Sequence, residues 1–141
     1  MNPFRSLPDY EIFIYTLPEQ FASLHHSTLV IAQRGPRFAI LEGAVTWAAG
    51  YRLTVREHLT LEDGPIVIEF YGYEVWYHDI KLYWYDSQAH PNNLALASTH
   101  PHHKHVPPDI KHNRIPAPGL SFTQPNRPFL IREIEQALFT I

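Results

Sequence analysis

"YRLTVREHLTLEDGPIVIEFYGYEVWYHDIKLYWYD", residues 51–86, decides the fold. Tyr51, Leu53 and Val55 fall on one side of an extended chain, and Arg52, Thr54 and Arg56 on the other. That alternation is the mark of an antiparallel strand buried on one face. Asp63 and Gly64 supply turn chemistry at the end of this strand. "IVIEFYGYEVW" and "IKLYWYD" follow, separated by a short connection near His78 and Asp79. The three runs predict a meander of sequential antiparallel strands.

Working outward, "YEIFIYT" (10–16), "STLVIAQ" (27–33) and "RFAILEGAVTW" (37–47) read as further strands, with a short helix starting at Pro18 between the first two. "RPFLIREIEQALF" (127–139) reads as a helix, with Pro128 in its first turn and Leu130, Ile131, Ile134, Ala137 and Leu138 forming one apolar stripe. The expected architecture is α+β: a mostly antiparallel sheet with this helix packed on one face. A single domain over 1–141 is expected, mainly β over 1–86, irregular over 87–127 and helical over 128–139. The irregular stretch holds seven of the thirteen prolines and loses apolar periodicity. It reads as a long His/Pro-rich loop, the kind of connection that carries function or lacks order.

The net charge of −3 argues against a surface that holds nucleic acid by bulk electrostatics. A local basic segment exists nonetheless: "THPHHKHVPPDIKHNR" (99–114) sets Lys104, Lys111, Arg114 and five histidines against Asp109 alone. Cysteine is absent, which excludes disulfides and thiolate metal sites, so a metal would need histidine and carboxylate ligands. The N-terminal "MNPFRSLPDY" lacks the apolar run of a signal peptide and no stretch resembles a spanning helix, so a soluble cytoplasmic protein with no membrane partner is expected.

Half of the ten histidines fall between residues 100 and 112. In an extended chain His100 and His102 point one way, and His103 and His105 the other. One reading is acid and base chemistry on RNA without any cofactor, since imidazole exists in both protonation forms near neutrality. It gives His103 and His105 as acid and base, His102 as the alternate proton carrier and Asp86 as the carboxylate that orients a ring. Lys104, Lys111 and Arg114 then contact phosphate, and Tyr85 stacks on substrate. A second reading is a hydrolase dependent on a divalent metal such as zinc or manganese, with His100 and His102, or His103 and His105, as two ligands and His90, His112 or Asp86 as the third. A third is a non-enzymatic module that docks a partner protein through this loop. The plainest is a surface loop that is merely rich in histidine. The aromatic series Tyr71, Tyr73, Trp76, Tyr77, Tyr83, Trp84 and Tyr85 reads mainly as core and cross-strand packing.

The ordered elements "RLTVREHLTLEDG", "YGY", "LYWYD", "HP" and "PHHKH" resemble the TumE family, described as toxin components of toxin–antitoxin pairs. The most specific match is Pro101, His102, His103, Lys104 and His105, preceded by Tyr85 with Asp86 and by His90 with Pro91. The resemblance implies a small cytoplasmic toxin neutralised by a cognate antitoxin protein and acting on RNA, and a toxin of this size commonly works by ribonuclease chemistry or by binding the translation machinery.

Overall fold

The expected meander is present in a computed structural model that describes residues 2–62, 64–87 and 102–139, without the side chains of 138 and 139. Strands β1 (His26–Ser27), β2 (Val30–Arg34), β3 (Phe38–Thr46), β4 (Tyr51–Thr60), β5 (Val67–Tyr77) and β6 (Ile80–Asp86) are joined by two more, β7 (His103–His105) and β8 (Arg114–Pro116). All pairs are antiparallel, in the order β1-β3-β4-β5-β6-β7-β8, with β2 also on β3. Gly43 lets β1 and β2 share that edge of β3. Its φ is +141°, and a Cβ there would lie 2.5 Å from the Thr28 carbonyl oxygen, so only glycine fits the close approach. Asp63, assigned to the turn after β4, lies outside the described residues, while Gly64 has the positive φ such a turn uses.

Two sequence expectations are corrected. Residues 10–16 are not a strand: helix α1 spans Leu7–Tyr15, followed by the short α2 (Leu17–Gln20). Ser6 caps α1, its hydroxyl accepting from the Asp9 N–H at 3.2 Å, and Pro8 sits in the first turn. Tyr10 and Ile14, four apart, are buried, whereas Ile12 and Tyr15 are exposed. Capping and helical spacing thus override the strand preference of the β-branched and aromatic residues. Residues 87–127 are not wholly irregular either, because β7 and β8 extend the sheet beyond β6.

The C-terminal helix α3 (Arg127–Phe139) packs on the same sheet face as α1. Leu130, Ile131 and Ile134 are buried there, Ala137 is exposed, and the side chain of Leu138 lies outside the described residues. On the sheet side the core takes Leu41, Leu53, Leu59, Tyr73 and Tyr85. At its centre lies a buried ion pair that the apolar pattern conceals: Arg127 Nη1 donates to Glu57 Oε2 at 3.0 Å, both side chains fully buried. The Tyr10 hydroxyl donates to Glu57 Oε1 at 2.5 Å, Tyr73 donates to Oε2, and Arg127 Nη2 reaches the Tyr10 oxygen. Asn126 completes the set by donating to the Tyr73 hydroxyl oxygen at 3.0 Å. One carboxylate therefore ties α1, β4, β5 and α3 together.

Replacing Glu57 by Gln leaves the guanidinium charge buried without its counter-charge, and is expected to cost about 3–5 kcal/mol. Arg5→Ala at the exposed Arg5–Asp9 pair should cost less than about 1 kcal/mol. Urea unfolding of the two variants checks the contrast, and equal losses would contradict it. Alkali acts on the same centre. Burial first, then Glu57, push the Tyr73 phenol well above its usual range, and burial does the same for Tyr10. The native state keeps protons that the unfolded chain releases above about pH 10. Stability from these phenols is therefore full below about pH 10 and drains as the pH rises beyond it. Urea midpoints from pH 8 to 11.5 should show that fall, shallower in Tyr73→Phe.

Candidate functional site

Asp86 ends β6, and β7 docks antiparallel against it with Asp86 opposite His103, Tyr85 opposite Lys104 and Trp84 opposite His105. Alternation then sorts the side chains. His103, His105, Trp84 and Asp86 share the sheet face that carries no helix among the described residues, while Lys104 and Tyr85 face α3. His103 Nε2 meets Asp86 Oδ1, and His105 Nε2 lies 3.6 Å from Asp86 Oδ2. The imidazoles are 0% and 1% exposed, whereas the Asp86 side chain is 16% exposed. One nitrogen from each histidine and one carboxylate oxygen lie within 4.8 Å of one another, a set that can hold a metal ion.

His105 stacks on Trp84 with ring centroids 3.6 Å apart and planes 7° from parallel. The connection between β7 and β8 covers both rings: the Ile110 carbonyl accepts from Trp84 Nε1 at 3.2 Å and lies 2.8 Å from His105 Nδ1. Burial is the chief cause that lowers the His105 pKa from its ordinary value, against the pull of Asp86. Next to the cluster is a hollow of about 410 Å³ on the open face, lined by Glu42, Thr54, Arg56, Gly72, Glu74 and Trp84. Gly72 pairs with Asp86, and having no side chain it leaves space between Arg56 and the carboxylate. A larger hollow of about 720 Å³, between Phe13, Gly119 and Arg132 on the helical side, is lined by no carboxylate, imidazole or indole. Trp76 lies on the open face beneath Arg52 and Lys81, and Lys81 also lies over Trp84.

Of the residues singled out in the sequence, Asp86, His103 and His105 come together. His102 does not join them: its Nδ1 pairs with the Tyr71 hydroxyl at 2.7 Å, and its ring packs on Tyr71 and Phe122. Lys104 is on the helical face, 3.3 Å from Glu133 and over the rings of Tyr83 and Tyr85. Tyr85 is buried and donates its hydroxyl to Glu133 at 2.7 Å, so the ring beside the cluster is Trp84 instead. Arg114 faces His105 across β7 and β8. Lys111 is exposed in the connection between those strands, where His112 pairs with Asp109. His90 and His100 lie outside the described residues. Trp84 and Gly72 were legible only as strand residues, and no sequence signal separates the outward indole from its inward neighbours except the alternation itself.

The family model for Toxin TumE matches residues 15–138. The chain belongs to the TumE toxin family. No curated protein and no solved structure matches it. Within this TumE member the PHHKH element supplies β7, and the final residue of the YD element supplies the carboxylate that β7 docks against. Among the described residues no helix is long and apolar enough to cross a membrane.

Because Trp84 walls His105 and anchors the β7–β8 connection, Trp84→Ala is expected to loosen this edge alone. The backbone amides of 103–105 should exchange with deuterium about tenfold faster or more, with those of β4 and β5 unchanged. Unchanged exchange at 103–105 would show that the indole does not secure the strand.

Proposed function

We propose that this TumE-family toxin cleaves RNA at the Asp86, His103 and His105 cluster on the open face of the sheet, and that a cognate antitoxin protein holds it in check. The observation that carries the reading is the convergence of two imidazoles on one carboxylate, from paired strands, beside an open hollow. In the reaction a base takes the proton of a ribose 2′-hydroxyl, and the oxygen attacks the adjacent phosphorus. The bond to the 5′ oxygen breaks, and that leaving oxygen takes up a proton. The cluster supplies the base, and Arg56 and Arg114 are the cations closest by pairing register, suited to the charge that develops on phosphorus. Trp84 and Trp76 offer indole faces of the type that unpaired bases stack on, with Arg52 and Lys81 beside them. Lys104 is not assigned a phosphate contact, because it is engaged with Glu133.

Purified chain is expected to cut single-stranded RNA, and His103→Ala with His105→Ala to lower the rate by about 10²–10⁴. His102→Ala should retain activity, and growth arrest on expression should track cleavage. Intact RNA after incubation with folded wild-type chain would sink the proposal.

A further inference from the structure

We infer that Asp86, His103 and His105 bind one divalent transition-metal ion. The inference deepens the preceding reading and rests on it only for the use to which the ion is put.

The argument begins with His105. Its Nδ1 faces the Ile110 carbonyl oxygen at 2.8 Å, and a carbonyl can only accept, so Nδ1 carries the ring proton. Nε2 of the neutral ring is then a bare lone pair. It is buried, has no hydrogen-bond partner among the described residues, and points at Asp86 Oδ2 3.6 Å away. Two acceptors facing each other out of water repel, and a positive charge between them turns that repulsion into attraction. His103 Nε2 approaches the other oxygen of the same carboxylate, so all three donors surround one locus.

The surroundings are those of a metal ligand set. A ligating histidine commonly donates its second ring N–H to a carbonyl or carboxylate, which fixes both tautomer and orientation. The Ile110 carbonyl does this for His105, and the stacked Trp84 ring holds the imidazole plane. Two imidazoles with one carboxylate suit zinc, manganese or ferrous iron and leave coordination positions open, whereas magnesium and calcium favour oxygen alone. Asp86 is the solvent-accessible member, so an ion held here meets solvent at its side. This also resolves a difficulty of access: imidazoles 0% and 1% exposed cannot themselves touch a phosphate, but an ion between them can. A water bound to the ion loses a proton near neutral pH, and the resulting hydroxide takes the 2′-hydroxyl proton and returns to water.

The test is calorimetric titration of untagged, chelator-stripped full chain with zinc and with manganese, alongside visible absorption of the cobalt-loaded protein. One ion per chain is expected. Asp86→Ala and His105→Phe, the latter keeping an aromatic ring on Trp84, should each weaken binding by on the order of 100-fold or more, since loss of a mere outer partner costs 10–100-fold. His112→Ala, at an exposed site, should bind as wild type does. No ion taken up, or uptake unchanged in both Asp86→Ala and His105→Phe, overturns the inference. RNA cleavage by stripped chain in EDTA, with no ion bound, overturns it while leaving the ribonuclease reading standing. One ion bound through these residues with RNA left uncut does the reverse.

Discussion

The buried carboxylate of Glu57 is the constraint on which the rest of the structure depends. It projects from the middle of β4 into a layer made mainly of aliphatic and aromatic side chains. A charge in that position is tolerable only when its oxygens are fully engaged, and three other elements contribute to doing so. Such a polar centre specifies arrangement more strictly than apolar contact does. Leucine packs acceptably against many neighbours, but a guanidinium must meet its carboxylate at one distance and angle. Tyr10 and Arg127, 117 positions apart, are brought to the same carboxylate, so the two ends of the chain are held over one sheet face. Among the described residues the other face carries no helix.

That open face is where the chemistry collects. Of the rows that cross it, the two beside the cluster carry polar groups, Glu42, Arg56 and Asp86 in one and Thr54, Glu74 and Trp84 in the next. The free edge of β6 accepts β7 through backbone pairing, which requires no particular side chain. The histidines can therefore be selected for what they do there. His105 is covered by the indole and by the β7–β8 connection rather than by the main core, so the strength of the fold and the setting of this ring are largely separate matters.

What could be read from the sequence follows the same division. The strands over 51–86 and the C-terminal helix were legible because each buries one apolar side, and burial writes its period into the residues. Asp86, His103 and His105 were legible as candidates because imidazole beside carboxylate has few roles. Their convergence was not, since it depends on β6 and β7 pairing across a gap in sequence. A three-residue strand is too short to show a period, and "HKH" has no apolar member. Tyr10 to Thr16 misled because β-branched and aromatic residues prefer strands, while the deciding signals, Ser6 and Pro8, stand ahead of the run. The pairing of Glu57 with Arg127 was not legible, because no sequence pattern records a partner 70 positions away.

The alternation along β7 has a consequence for how such a chain can vary. His103 and His105 lie on one side and Lys104 on the other, held there by Trp84 and Glu133 respectively. The site is thus a matter of parity. One residue gained or lost within 103–105 turns the lysine toward the carboxylate and an imidazole toward the helix. Within the paired residues, then, a change in length reverses the site.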